Sequence, residues 1–461
     1  MKLAVIGGGG VRAPLFVASA LRRAEIIGLD EICLMDIDGP KLALTGALAQ
    51  GVARKAGSPV RVTTTTDARA ALDGASFVVT TIRVGGDEGR VRDERIALRY
   101  GVLGQETTGP GGFAMALRSI PAILEYARLR DELCPDAWMF NFTNPAGLVA
   151  QALHDAGFGR AVGICDSANG AQHAVAARLG VSPNDLQAEV FGLNHLSWTR
   201  RVWYQGEDVL PRFLADPSFL RETLLNVFEP ALVHHLGMWL NEYLYYYYYA
   251  ERAVQAIASE ERTRGEEVLA LNRDLLEQLR QVDPSRDLDA ALALYYRYNQ
   301  RRSATYMHYA QQGAPTPEEA DAQFQATFLQ VNPEEGEGYA GVALDIMTAL
   351  TTGKPLYTAL NVPNQGAIAA MRPDDVVEVS CVVDGDGVRP LPIGDVPAGP
   401  ALLMQVIKHY ERLTVRAVAK RSRALAVDAL MAHPLVLSYS RARALVDDYL
   451  TAHAPYVGDW V

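Results

Sequence analysis

Short apolar runs alternate with helix-periodic stretches through the first two hundred positions of this chain. Leu3–Gly7 reads as a short buried strand, and after a cluster of glycines a helix is expected from Pro14 to Ala24. Glu31–Asp36 is the second strand, followed by a helix over Lys41–Ala56 and a third strand over Val60–Thr63. Phe77–Thr81 is a fourth strand, entered from the turn Asp73-Gly74-Ala75. Gly112–Leu133 reads as a long helix, and Trp138–Phe142 and Ala161–Cys165 are buried strands joined by a helix over Ala146–Ala156. Apolar strands alternating with helices predict an α/β, Rossmann-like doubly wound parallel sheet covered on both faces. Ligands of such sheets bind beyond the carboxyl ends of the strands. The loops after Ile6, Asp36, Thr81, Phe142 and Cys165 should therefore share one rim.

Past residue 195 the pattern is less regular. Leu186–Gly192 and Trp198–Tyr204 look like strands, and a helical stretch is expected from Leu220 to Ala256, with the tyrosine run Tyr245–Tyr249 inside it. Arg264–Val282 is helical, Val376–Val383 is a Val-rich strand, and the chain is strongly helical from Leu403. The acidic, glycine-rich Pro333–Gly338 reads as a loop. At 461 residues the chain exceeds one ordinary core, so two domains are expected: residues 1–195 as a Rossmann-like nucleotide domain and 196–461 as an α+β domain wrapping the rim.

Composition narrows the function. An excess of 54 acidic over 43 basic residues leaves a net charge of −11, which argues against nucleic acid as a partner. Cys33, Cys134, Cys165 and Cys381 are widely spaced with no CxxC pair, as in a reduced cytoplasmic protein. The N-terminus enters a strand at once, leaving no room for a signal peptide. No apolar run approaches the roughly 20 residues that span a bilayer.

The candidate chemistry lies on the rim. Gly7, Gly8, Gly9 and Gly10 follow the first strand and precede a helix; such a loop lets backbone approach a pyrophosphate at the helix N-terminus. Val11 and Arg12 follow in place of a clean GxGxxG. Asp36, at the end of the second strand, suits the ribose of NAD better than that of NADP. Cys165 and His195 each end an apolar strand near the same rim, and a thiolate with an imidazole can hold a divalent metal while leaving positions open for substrate oxygens. Taken singly, each is more often a packing residue.

The ordered segments Arg83-Val84-Gly85-Gly86, Arg90-Val91-Arg92-Asp93-Glu94, Gly104–Gly112, Asn141-Phe142-Thr143-Asn144-Pro145, Gly163-Ile164-Cys165-Asp166 and Gly192-Leu193-Asn194-His195 carry a resemblance across almost the whole chain. It continues in Tyr243-Leu244, Thr263–Glu267 and Val362-Pro363-Asn364. Together they resemble glycoside hydrolase family 4, most closely its 6-phospho-β-glucosidases, a family that departs from two-carboxylate glycoside hydrolysis.

The resemblance implies a lactate/malate dehydrogenase-like arrangement, NAD and Mn²⁺ as cofactors, a phosphorylated sugar as substrate, and a homodimer or homotetramer. It implies that NAD⁺ takes a hydride from C3 while a metal on Cys165 and His195 polarises the C2 and C3 oxygens. A tyrosinate then removes the C2 proton, the aglycone is eliminated, water adds and the hydride returns. Tyr243 matches the base, with Tyr247 the alternative one turn on. A tyrosine that ionises ordinarily near pH 10 would need a cation nearby for that role. Arg264 matches a contact to the substrate phosphate. Arg83 and Arg90 are further candidates for that pocket, Arg83 also for the cofactor, and Glu106 and Asn144 are expected to hold sugar hydroxyls or their supports.

Two positions depart from the family pattern. Asp166 follows the cysteine where β-type members carry Asn, and in α-type members an Asp there protonates the leaving oxygen. The segment Gln105–Phe113 nevertheless resembles the β-type. Arg12 stands where relatives have other residues, and either the pyrophosphate or the sugar phosphate is a partner for it. Besides 6-phospho-α-glucosidase, the alternatives are a net NAD-dependent 2-hydroxyacid dehydrogenase and a catalytically silent NAD- or sugar-phosphate-binding regulator.

Overall fold

The computed structural model describes residues 1–311 and 338–461. Six parallel strands form its centre: β1 (Lys2–Ile6), β2 (Glu31–Met35), β3 (Arg61–Thr65), β4 (Ala75–Thr80), β5 (Trp138–Asn141) and β6 (Ala161–Gly163). Their order is β3-β2-β1-β4-β5-β6, the doubly wound arrangement whose direction reverses between β1 and β4 and opens a crevice there. β1 and β4 are buried along nearly their whole length, because helices cover both faces. The first of these helices, Ala13–Ile27, starts with a proline in its first turn and stops at Gly28 in the left-handed conformation (φ 75°), as helix-end chemistry favours.

The hairpin β7 (Leu186–Leu193) and β8 (Leu196–Tyr204) builds a second, smaller sheet with β9 (Glu207–Asp208) and β10 (Trp239–Leu240). The chain then returns to the main sheet. β11 (Leu356–Pro363) pairs antiparallel with β6 through Asn361 and Gly163, and β12 (Val376–Asp384) and β13 (Gly387–Pro390) follow it outward. The strand expected over Val376–Val383 thus extends the first sheet rather than a sheet of its own. β11 escaped expectation because it is buried on both faces, which removes the alternation that marks a strand.

The continuous helix expected from Leu220 to Ala256 does not form. Pro230 opens a helix that ends at left-handed Gly237 (φ 62°), and Trp239–Leu240 then pairs with Trp198 and Thr199 of β8. The tyrosine run occupies a separate short helix, Tyr245–Tyr248, followed by Ala250–Ser259. Proline, glycine and strand pairing override the helical periodicity here. Arg264–Val282 forms over the expected residues, started by a capping box in which Thr263 and Glu266 satisfy each other's backbone N–H groups. Of the loop expected over Pro333–Gly338, residues 333–337 lie outside the described residues, and Gly338 opens the helix Gly338–Thr352. Among the described residues no helix is long and apolar enough to cross a membrane.

Candidate active site

The glycine loop is packed to the limit of its backbone. A Cβ on Gly7 (φ 95°) would lie 2.5 Å from the Thr81 carbonyl oxygen, and one on Gly9 would lie 2.8 Å from the Asp36 carboxylate. The Gly7 and Gly8 N–H groups both donate to the Met35 carbonyl at 2.8 Å, which folds the loop down between β1 and β2. Gly10 and buried Val11 lead into the helix at Ala13, and the Arg12 side chain is exposed beside it. Asp36 accepts the N–H groups of Gly9 and Asp38, each at 3.0 Å. Those bonds leave further lone pairs on its carboxylate for a diol. Loop, helix N-terminus and acid fit a dinucleotide at the β1/β4 crevice.

Cys165 and His195 come together from different sheets. Cys165 stands just past β6, and His195 sits in the two-residue turn between β7 and β8 in a left-handed conformation (φ 62°). That strained backbone turns the imidazole inward. The Cys165 Sγ and His195 Nε2 are 3.3 Å apart, and His195 Nδ1 meets the Thr107 hydroxyl at 3.0 Å. With zinc-like bond lengths, a sulfur and a nitrogen on one metal lie about 3.1–3.6 Å apart for angles between a right angle and tetrahedral. The pair fits a shared divalent ion, with Thr107 as the outer partner that fixes the ring. Among the described residues no group of three or more His, Cys, Asp and Glu side chains is placed to hold a metal. Burial lowers His195 to about 4, keeping it neutral as a ligand requires, whereas burial and the Asp166 and Glu378 carboxylates raise the Cys165 thiol well above its ordinary value. A cation in the site is what would reverse that preference for the thiol. Asp166 is exposed next along the chain, 4.0 Å from the sulfur.

Tyr243 lies flat on the His195 ring. Tyr247 points elsewhere: it stacks near His433 and faces Glu411, so of the two candidate bases Tyr243 belongs to this site. Burial and the neighbouring Tyr246, Glu106 and Cys165 raise the Tyr243 phenol well above its ordinary value, so a base role there needs the cation that Cys165 and His195 would hold. Tyr306 acts on Tyr243 in the opposite direction, and its hydroxyl donates to Glu242 Oε1 at 2.8 Å. Burial lifts Glu242 to about 7.

Positive charge gathers on the other side of Tyr243. Glu106 Oε2 pairs with Arg83 Nη1 at 2.8 Å and Arg90 Nη1 at 3.1 Å, and these arginines outweigh the cost of burial to hold the carboxyl far below its usual range. Arg90 also donates to Glu94 at 2.7 Å, and Glu94 accepts the Gly265 N–H at 2.8 Å. That bond ties the helix Gly86–Arg99 to the start of the helix carrying Arg264. The Arg264 guanidinium lies 4.9 Å over the Tyr306 ring. Arg90, Gln105, Tyr243, Tyr246, Arg264 and Tyr306 line one pocket. Asn144, half-buried at a cis Asn144–Pro145 bond, stands beyond β5 on the same rim.

Several residues here have no counterpart in the sequence expectations. Glu378, wholly buried on β12, accepts from Asn194, Ser197 and Asn361, and burial raises it to about 7 against those three donors. Its only sequence signal is a lone acid in the run Val376-Val377-Glu378-Val379. Thr107 lies within the Gly104–Gly112 segment, where no role is expected of it, and Asn241 and Tyr306 carry no signal.

The profile described as "Family 4 glycosyl hydrolase" matches residues 2–181, and its C-terminal domain profile matches residues 190–436. A probable 6-phospho-β-glucosidase of Bacillus subtilis (strain 168) is 32% identical over 99% of this chain and 97% of its own length. A phospho-α-glucosidase of Clostridium acetobutylicum is 28% identical, over 99% and 98%. The 6-phospho-β-glucosidase of Thermotoga maritima, solved with manganese, NAD⁺ and glucose-6-phosphate, superposes with a TM-score of 0.81 at 28% identity, covering 99% of each chain. Malate dehydrogenase from Salinibacter ruber, at 14% identity and a TM-score of 0.50 over 91% and 99% of the two chains, shares the fold alone.

Proposed function

This chain belongs to the family 4 glycosyl hydrolases, and from that premise we propose that it hydrolyses 6-phospho-β-glucosides, such as cellobiose 6-phosphate, using NAD⁺ and Mn²⁺. The observation that carries the reading is the placement of Tyr243 on the face of His195, whose Nε2 is 3.3 Å from the Cys165 sulfur, at the wall of a pocket holding Arg90 and Arg264. A relative named as a probable 6-phospho-β-glucosidase, and the Thermotoga maritima 6-phospho-β-glucosidase solved with NAD⁺, manganese and glucose-6-phosphate, support it.

Bound here, the nicotinamide would take up and return a hydride at a sugar carbinol carbon, and the divalent cation would acidify the adjacent C–H. The glycine loop and the helix at Ala13 hold the pyrophosphate end, Asp36 the adenosine ribose, and the 82%-exposed Ile37 offers an apolar surface beside it. Cys165 and His195 hold the cation. Arg264 holds the sugar phosphate, with Arg90 behind it and Arg83 on the cofactor side. Asn144 and the Glu106 segment position sugar hydroxyls. Tyr243, ionised to the tyrosinate, accepts the sugar proton at its phenolate oxygen, and Tyr306, whose hydroxyl donates to Glu242 Oε1 at 2.8 Å, stands beside it.

Asp166 favours a second reading. Its exposed carboxylate beside Cys165 suits a proton donor to a leaving oxygen, as expected for a 6-phospho-α-glucosidase.

The test is release of a chromogenic aglycone from 6-phospho-β- and 6-phospho-α-glucosides under reducing conditions, omitting NAD⁺ and Mn²⁺ in turn. Release from the β-substrate that needs both, without stoichiometric NADH, is the expected result. Preference for the α-substrate would transfer the assignment to the second reading. NADH accumulating with turnover, or no release from either substrate, would overturn both.

A further inference from the structure

One buried carboxylate ties together the loops that carry the metal donors. Glu378 sits on β12, fully enclosed, and uses both oxygens. Oε1 accepts the side-chain amides of Asn194 at 3.1 Å and Asn361 at 3.2 Å, and Oε2 accepts the Ser197 hydroxyl at 2.8 Å. Asn194 and Ser197 flank His195 on either side of its turn, so the imidazole's backbone is clamped at two points. Asn361 lies opposite Gly163 in the β11–β6 pairing, two residues before Cys165.

The network continues to the sulfur. The Asn241 amide donates to Ser197 Oγ at 3.3 Å and to Ser167 Oγ at 3.1 Å, and Ser167 Oγ is 3.1 Å from the Cys165 sulfur. The Asn241 side-chain oxygen accepts the Tyr243 N–H at 3.0 Å. Donors and acceptors match along the whole path. The two amide hydrogens of Asn241 go to two serines, Ser197 passes its own proton to Glu378, and Ser167 keeps a proton free for the sulfur. Ionised, Glu378 is an acceptor-only hub, which suits the three donors that converge on it.

We propose that Glu378 is a positioning residue for the metal centre: it holds the Cys165 loop, the His195 turn and the turn carrying Tyr243 at the spacing that a shared divalent cation requires. This rests on the metal reading of Cys165 and His195 given above. Buried outer partners of metal ligands act in this way, and their loss typically weakens metal binding about 10–100-fold. Glutamine in this place would set an amide N–H₂ against at least one of the converging donors while keeping the side chain's volume.

The experiment is Mn²⁺ titration of full-length, NAD⁺-loaded protein, following free Mn²⁺ by electron paramagnetic resonance, for wild type, Glu378→Gln and Ser197→Ala. NAD⁺ affinity and thermal melting are measured alongside. The expected result is a Mn²⁺ Kd raised by about 10–100-fold in Glu378→Gln and by a smaller factor in Ser197→Ala, with NAD⁺ affinity near wild type. Should Glu378→Gln fail to fold, Ser197→Ala and Asn241→Ala read the same network from its other members. Unchanged Mn²⁺ affinity in folded variants, or equal loss of Mn²⁺ and NAD⁺ binding, overturns the proposal. If wild type binds Mn²⁺ no better than Cys165→Ala, the metal reading itself fails, an outcome distinct from the other two.

Discussion

His195 and Tyr243 lie face to face, with ring centroids 3.7 Å apart and planes 3° from parallel. The edge of the same imidazole reaches the Cys165 sulfur. A candidate base and a candidate metal ligand are thus fixed against one another by ring contact, and neither can shift without the other. Tyr243→Phe preserves that stack. The variant should therefore bind Mn²⁺ and NAD⁺ as wild type does while its kcat falls about 10²–10⁴-fold, the usual worth of a positioned proton-transfer group. Tyr247→Phe, on the far side of the short tyrosine helix, should turn over near the wild-type rate. Steady-state kinetics on both variants decide the point, and a Tyr243→Phe enzyme with wild-type kcat would remove Tyr243 from the proton transfer.

Strands β1, β2, β4 and β5 were legible because each is a short, largely apolar and buried run between turn signals, whereas β3 is polar and partly exposed. The helix Gly86–Arg99 was not legible. Three of its inward positions, Arg90, Asp93 and Glu94, are buried by ion pairing beside Gly89, Ile96 and Ala97, so hydrophobic periodicity is broken where it should mark the buried face. The same substitution of charge for apolar bulk hides Glu378 within a Val-rich strand. Cys165 and His195 could be placed on a common rim from sequence because each ends an apolar run. That they meet across two sheets depends on strand order, which local pattern does not carry. The breaks between Leu220 and Ala256 come from Pro230, Gly237 and pairing to β8, and only the first two are visible without the fold.

Glu106 is the counter-ion of two arginines, one of them almost wholly enclosed. Replacing it with Gln keeps the shape and removes the carboxylate that Arg83 and Arg90 share, leaving Arg90 with Glu94 and Arg83 with Asp87. Breaking a buried pair from one side costs about 3–5 kcal/mol, and Glu106→Gln should show that loss in urea denaturation at pH 7. The sign with pH follows from a carboxyl held below its unfolded value. Its contribution is complete above the ordinary carboxylate range and disappears as acid protonates it, so the gap between wild type and variant should close in strong acid. A gap that stays constant into strong acid would mean that the variant's loss does not come from the carboxylate's charge.

Arg264 sits over the Tyr306 ring with its guanidinium 4.9 Å from the centroid, at the wall of the pocket. A charge-assisted contact to phosphate is worth about 1.5–3 kcal/mol. Arg264→Ala should therefore raise KM for the 6-phospho-glucoside by roughly 10–100-fold. Any activity on the matching unphosphorylated glucoside should stay unaltered. Arg264→Lys should recover only part of the loss, because an ammonium neither forks around phosphate nor lies flat on a ring. Equal losses on both substrates would assign Arg264 to the architecture of the pocket.

His433 is enclosed between Tyr247 and Tyr410, its Nδ1 accepting the Leu435 N–H at 3.2 Å. Burial lowers it from an ordinary value of 6.5 to about 3, so it stays neutral in the fold where the unfolded chain would take up a proton. Between these values the unfolded state binds more protons, and stability must fall as pH drops from 6.5 toward 3. The slope reaches about 1.4 kcal/mol per pH unit, or about 2 kcal/mol between pH 6.5 and 5. Glu242 and Glu378, raised to about 7, tilt the curve the other way over part of that range, so the total profile does not isolate the histidine. A comparison with His433→Asn does, because Asn supplies an acceptor near the place of Nδ1 and does not titrate. The stability difference between wild type and variant, measured by urea denaturation, should narrow by about 2 kcal/mol from pH 7 to pH 5. A difference that holds constant across that interval would show that His433 is protonated in the folded protein as readily as in the unfolded chain.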